Sequence, residues 1–230
     1  MKLAIVSGTS INDSEVFKGW RFKSVETPYG EVVVKEGRGI VLVNRHNFED
    51  PVLPHAGNYK GYVDAICKLG VDTVLTMSSV GSFREELPPG TFVSCSDYAS
   101  FAPMTFFEER GGGYAPEIAN DLLEVLKEVC PYPIEEDRIY FQSKGPRFET
   151  RAEVRILKNL GCDVVGMTFA NEADLMLERG LKVNPICMVD NFAHGLGNAE
   201  LSMEQFRALV AENQSKVDEF LAAVAERFGE

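Results

Sequence analysis

The sequence predicts an α/β layer fold, and three observations carry that expectation. Apolar, β-rich runs alternate with amphipathic stretches along the whole length. Three of the amphipathic stretches end on glycine, at Leu69-Gly70, Leu160-Gly161 and Arg179-Gly180, and each time a new apolar run starts within a few residues. That is how helices stop and hand over to strands in layered α/β folds. With 230 residues, 45% of them hydrophobic, the chain can bury a sizeable core.

The elements follow in order. Strands are expected at LAIVSG (3–8), EVVVKEG (31–37), GIVLVN (39–44), DTVLTMSS (72–79), TFVSCSDY (91–98), RIYFQSKG (138–145), DVVGM (163–167) and NPICMVD (184–190). Helices are expected at 58–69, 115–129, 150–160, 171–179 and 202–227. No linker, repeat or low-complexity segment interrupts them, so one domain over 1–230 is the simplest division. The loosest stretch is 99–116, with three consecutive glycines and several aromatics. It reads as a mobile loop, an oligomer contact or a surface excursion.

Composition narrows the function. A formal charge of -12 argues against broad nucleic-acid or anionic-membrane binding, while leaving room for a small anion held by local positive groups. No apolar run is long enough to span a membrane, and MKLAIVSGTS lacks a signal-peptide cleavage pattern, so it reads as a first strand. The five cysteines (Cys67, Cys95, Cys130, Cys162, Cys187) are scattered without a CxxC and read as free thiols in a reducing cytoplasm. Asn213-Gln214-Ser215 fits a glycosylation pattern but falls inside an expected helix and is discounted.

Candidate chemistry gathers at expected strand ends. Ser7-Gly8-Thr9-Ser10 is a short Gly/Ser/Thr loop able to offer N–H groups and hydroxyls to an anion, or simply a tight turn. It lacks the Gly-Lys-Ser/Thr ending of a P-loop. Asn44-Arg45-His46-Asn47 supplies a charged fork and an imidazole suited to phosphate, or an exposed strand end. His55, beyond Pro51 and Pro54, either lines a ligand or caps the next helix. Thr76 to Ser82, Met167-Thr168 and Asp190-Asn191 place small polar residues at the carboxyl ends of strands, where α/β sheets form ligand crevices. Neither a GxSxG nucleophile motif nor a recognisable metal-ligand spacing occurs. The residues alone therefore point to an α/β enzyme that binds a small anion.

Four stretches, IVSGTSI, NRHNFEDPVLPHAGNYKG, TMSSVGSFREELPPGTFV and GPRFETRAEVRILKNLGCDVVGMTFANEADL, together resemble the purine nucleoside phosphorylase family. The closest likeness is to its trimeric branch, which includes methylthioadenosine phosphorylases, and it runs in order over nearly the whole chain. The resemblance implies a three-layer fold with a mixed central β-sheet. It implies cleavage of the purine–ribose bond by inorganic phosphate, releasing a free base and a pentose 1-phosphate. It further implies no metal or cofactor, phosphate as co-substrate, and a cytoplasmic homo-oligomer (trimer or hexamer) acting in purine salvage. By position, Thr9, Arg45, His46, Ser78, Ser79 and Thr168 would bind phosphate. Met167 would pack on the sugar, and Phe148, Glu149 and Asn191 would form the base pocket, with Asn191, Arg45 and His46 closest to the chemistry.

The family's branches differ at two places. The methylthioadenosine branch carries a small hydroxyl residue where this chain has Glu149, and an aspartate where it has Asn191; the inosine/guanosine branch carries Glu and Asn. Alignment from Glu172 without gaps puts Asn191 at the second place; a one-residue gap would put Asp190 there. A 6-oxopurine offers an N1–H donor and an O6 acceptor, which match a glutamate and an asparagine. Adenine inverts that edge, and a buried carboxylate facing its N1 would be unpaired. The second aspartate of the methylthioadenosine pattern falls at Ala193, and a histidine expected after the Arg-His pair is replaced around Glu49-Asp50, with His55 a possible substitute. These features favour inosine, guanosine or 5′-methylthioinosine. The alternatives are a methylthioadenosine phosphorylase, a phosphate-independent nucleosidase and a non-catalytic nucleoside-binding protein. Arg147 and Arg151 read as structural.

Overall fold

The computed structural model describes residues 1–8, 11, 14–107, 113–196 and 202–229. Nine strands form one mixed sheet in the order β2-β3-β4-β1-β5-β8-β7-β6-β9, with β9 returning to pair β5. The strands are β1 (Leu3–Ser7), β2 (Arg21–Thr27), β3 (Gly30–Gly37), β4 (Ile40–Asn44), β5 (Thr73–Ser82), β6 (Phe92–Ala99), β7 (Ile134–Gln142), β8 (Val164–Gly166) and β9 (Lys182–Phe192). The helices are α1 (Tyr59–Lys68), α2 (Leu123–Val129), α3 (Arg151–Asn159), α4 (Phe169–Glu178) and α5 (Met203–Phe228).

Period-2 alternation builds the three layers. On β1, Ala4 and Val6 pack with α1 and α4 through Tyr62, Ile66, Phe169 and Ala173. Leu3 and Ile5 point the other way, toward Leu126 of α2 and Phe220, Leu221 and Val224 of α5. Such a strand is buried on both faces, which is why it reads as a continuous apolar run. A smaller cluster seats α3 through Val154 and Leu157 on Phe83, Phe141 and Val165. Fully burying each large side chain of these clusters contributes roughly 1.5–3 kcal/mol.

The helix boundaries follow local chemistry. Asn58 caps α1 by accepting from the Gly61 N–H, and Ser202 caps α5 from Gln205. Thr150 and Glu153 form a reciprocal capping box on α3. Gly70, Gly161 and Gly180 take positive φ after α1, α3 and α4, as the glycine stops predict.

Two expectations need correction. The predicted helix over 115–129 is helical only from Leu123. Asn120, at φ 50°, donates to the Cys95 carbonyl, and the Leu122 N–H is held by Asn184, so these side chains tie the preceding segment to the sheet in non-helical form. Strand β2 is missing from the sequence reading because RFKSVET is largely exposed and carries no buried stripe; its pairing with β3 makes it a strand. The five cysteines are free, as expected.

The sheet topology creates the site. Strands β4, β1, β5 and β9 are mutually parallel and end on one side. At its far end β5 also pairs antiparallel with β8, while β7 and β6 link β8 back to β9, so five strands close on themselves. Near that closure the β5–β9 register shifts between Val80 and Gly81, which pair with Val189 and Asn191 and leave Asp190 in a bulge.

Candidate active site

A cavity of about 370 Å³ opens at these strand ends. Its wall takes Gly8 from the end of β1, Arg45 and His46 from β4, Ser79 and Gly81 from β5, Met167 and Thr168 after β8, and Asn191 from β9. The loop after β7 adds Phe148 and Glu149, and α5 adds Met203, Phe206 and Arg207. Eight of the twelve candidate residues named from sequence thus meet at one cavity: Arg45, His46, Ser79, Phe148, Glu149, Met167, Thr168 and Asn191.

Arg45 is buried, with its side chain 3% exposed against 0% for Glu172. Its Nε donates to Glu172 Oε1 at 2.6 Å and its Nη2 to Glu172 Oε2 at 3.0 Å. Nη2 also donates to the Val6 carbonyl, and Nη1 to the Met77 carbonyl at 2.8 Å. One of the five guanidinium N–H groups is left over. Burial works against the charge, but Glu172 outweighs it and holds the Arg45 pKa above its usual value. Tyr62 donates to Glu172 Oε1 at 2.7 Å, and burial, then Glu172, keeps that phenol protonated well beyond its ordinary range. The wall therefore presents a charge-compensated Arg–Glu pair. Glu172 and Tyr62 escaped the sequence reading because they lie inside helices, where their polar atoms signal nothing.

His46 has its Nδ1 3.0 Å from the Val52 carbonyl, which can only accept, so Nδ1 carries the proton and Nε2 a lone pair. Burial, then the neighbouring Arg45, lowers its pKa to about 4. The ring packs so close to Gly8 that a Cβ there would lie 2.9 Å from Nε2, so only glycine fits.

Ser79 donates its hydroxyl proton to Asp190 Oδ2, and Asn213 of α5 donates to Asp190 Oδ1 at 2.9 Å. Asp190 is buried, and burial raises its pKa. The bulge in β9 turns Asp190 away from the cavity and Asn191 into it, which takes Asp190 off the cavity wall. Asn191 gives one Nδ2 hydrogen to the Phe192 carbonyl at 2.8 Å, leaving a second N–H and its Oδ1.

Glu149 is 6% exposed, and its buried Oε1 has no hydrogen-bond partner among the described residues. Phe148 packs edge-on against Phe206, with centroids 5.9 Å apart. Met167 fills the space above Gly145 (φ 65°), where a Cβ would sit 2.5 Å from its sulfur. Thr168 caps α4 with a side chain that makes no cap bond. The N–H groups of Thr168 and Phe169 go to Tyr140 Oη, and that of Ala170 to Gln142 Oε1. Three N–H groups at the start of α4 are thus satisfied by protein, and Thr168 lines the cavity.

The remaining candidates stand apart. Ser78 is buried beneath the wall, and its hydroxyl has no partner among the described residues. His55 is exposed on the short turn Pro54–Ala56 and misses the cavity wall, so it neither lines the site nor replaces the missing histidine; Asn58 does the capping. Thr9 lies outside the described residues. Arg147 pairs with Glu153 at 2.8 Å on the surface, in keeping with a structural role. The α5 residues Met203, Phe206 and Arg207 are not among the site candidates named from sequence. Their spacing puts them on one helix face, but nothing local says that this face meets β9. Among the described residues no group of three or more His, Cys, Asp or Glu is gathered as a metal would require, and no helix is long and apolar enough to cross a membrane.

The family model described as the phosphorylase superfamily matches residues 2–226. The chain belongs to that superfamily. Among its relatives is a probable 6-oxopurine nucleoside phosphorylase of Archaeoglobus fulgidus, 31% identical, the match covering 97% of this chain and 94% of the relative. Another is a probable S-methyl-5′-thioinosine phosphorylase of Xylella fastidiosa, 33% identical over 97% of both chains. An adenosine/methylthioadenosine phosphorylase from Schistosoma mansoni superposes with a TM-score of 0.83 at 24% identity, covering 100% of this chain and 93% of its own, which shows the shared fold.

Proposed function

We propose that the chain is a purine nucleoside phosphorylase that favours 6-oxopurine nucleosides: inosine, guanosine or 5′-methylthioinosine. Phosphate is the co-substrate, and the products are a free purine and a pentose 1-phosphate. One observation carries the purine assignment: Glu149 and Asn191 share the cavity while Asp190 is turned away from it. Glu149 would accept from N1–H, and from the 2-amino group of guanine. Asn191 would donate to O6 with its free N–H and accept from a protonated N7 with Oδ1. The names of the relatives, 6-oxopurine and methylthioinosine phosphorylases, agree with this reading.

Cleavage loosens the C1′–N9 bond first, building positive charge on the sugar and negative charge on the base. Asn191 stabilises the departing base at N7 and O6. Met167 packs on the sugar, and Arg45, His46, Ser79 and Thr168 hold phosphate at C1′, so that it forms the new bond as N9 leaves. No covalent protein nucleophile is required. The same reading makes the chain a cytoplasmic homo-oligomer, trimer or hexamer, acting in purine salvage; exposed Phe101 and Phe107 support a protein contact there, and light scattering tests it.

The deciding assay offers inosine, guanosine, methylthioinosine and methylthioadenosine to the purified chain, with and without phosphate. Release of hypoxanthine and guanine only with phosphate is expected. Release of adenine alone would sink the Glu149/Asn191 reading, and turnover without phosphate would make the chain a hydrolase.

A further inference from the structure

The phosphate end of the cavity is unusual in what it offers. Phosphate sites are commonly rich in unpaired donors and positive charge. Here Arg45 is neutralised by Glu172 and has one N–H left over. His46 Nδ1–H is taken by the Val52 carbonyl, so Nε2 presents a lone pair. The Ser79 proton is taken by Asp190, so its oxygen presents lone pairs too. Two acceptors and a charge-compensated arginine thus share one wall with Thr168, whose hydroxyl makes no cap bond.

We infer that this site selects phosphate as its monoanion, dihydrogen phosphate, with His46 Nε2 and Ser79 Oγ each accepting a hydrogen bond from a P–OH. The monoanion carries two such groups, one for each acceptor. The dianion carries one, and it brings a second negative charge against a wall whose one buried cation among the described residues, Arg45, is already paired. Sulfate near neutral pH carries none, so both acceptors would face it unpaired. Asp190 is then a positioning residue, acting through Ser79. Val52 does the same for His46, and Glu172 sets the charge of the wall. The inference rests on the proposed phosphorolysis and adds which ionic form is used.

Phosphate has its second ionisation near neutrality; beside the acceptors, burial raises the Asp190 pKa, which Asp190→Asn removes as a variable. Arg45 lies beside His46, and Tyr59 stands near Arg45. Arg45 stays charged, and Tyr59 is pushed up to about 12 by burial, then by Glu172. His46 itself is held to about 4. Ser79 faces Asp190, whose other oxygen is bound by Asn213. Glu149 and Arg207 stand elsewhere on the wall.

The test is initial-rate phosphorolysis of inosine by the full chain, with phosphate varied on both sides of its second ionisation. The KM for total phosphate is expected to rise with pH, approaching about tenfold per unit above that ionisation. Arsenate, which keeps the same protons, should substitute for phosphate. Sulfate should compete at least about a hundredfold more weakly than phosphate binds. In Asp190→Asn, the new amide donates to Ser79 and frees its proton for the ligand, so the phosphate-to-sulfate ratio should narrow about tenfold. A KM that is flat or falls with pH, or sulfate competing as well as phosphate, would overturn the inference while leaving phosphorolysis intact. So would a pH trend that disappears in Asp190→Asn with sulfate still excluded, because Asp190 would then be the titrating group. Absence of any phosphate dependence would overturn the functional reading itself.

Discussion

Glu172 and Glu149 are two buried glutamates beside one cavity, with opposite surroundings. Glu172, behind Arg45, receives two bonds from that guanidinium and one from Tyr62. Glu149, on the wall beside Phe148, has a buried Oε1 without a partner among the described residues. A fully bonded buried group holds the protein together, whereas an unbonded one costs stability and is the group a ligand can satisfy. The contrast extends along the wall. His46 and Ser79 are anchored to Val52 and Asp190, while Asn191 keeps an N–H and its carbonyl open.

Four experiments would break or sharpen this contrast. The largest effect is expected at the Arg45–Glu172 pair. Glu172→Ala strands the Arg45 charge in the interior and should cost about 3–5 kcal/mol by urea denaturation. A loss under about 1 kcal/mol would mean that the pair does not carry the wall. Next comes base choice. Glu149→Ser with Asn191→Asp should shift the ratio of kcat/KM for inosine to that for methylthioadenosine by about a hundredfold or more toward the 6-aminopurine. An unchanged ratio in a folded double variant removes both residues from the specificity account.

The third experiment concerns pH. His46 binds its proton at about 4 when folded, against 6.5 in the ordinary case. As pH falls through that window the unfolded chain takes up a proton that the folded one refuses. Stability is therefore retained above about 6.5 and lost toward about 4, by about 3 kcal/mol. His46→Gln should flatten that part of the profile, and an unchanged slope would show that His46 is not held neutral. The smallest effect is expected at Glu149. Glu149→Ala should leave stability within about 1 kcal/mol of the parent, or raise it, while kcat/KM for inosine falls steeply. A large loss of stability would show that Glu149 is structurally bonded after all.

Much of this was written in the chain order. Alternating apolar runs and glycine stops depend on local sterics and on periods of 2 and 3.6, so eight of the nine strands, the layer class and four of the five helices were legible nearly as they stand. The small polar residues at strand ends marked the crevice, because parallel strands deliver such ends to one side. Beyond that point local sequence is silent. Whether Asp190 or Asn191 faces the ligand depends on a one-residue bulge, and a shift of one residue reverses which side chain points inward. Arg45 reads as a free cation until α4 brings Glu172, 127 positions away, into contact. His55 reads as lining a ligand or capping a helix until its turn faces outward. The sequence by itself determined the elements, the layers and the types of residue at the site. Only the tertiary structure decided which of their polar atoms are already bonded, because a hydrogen-bond partner far along the chain leaves no local trace.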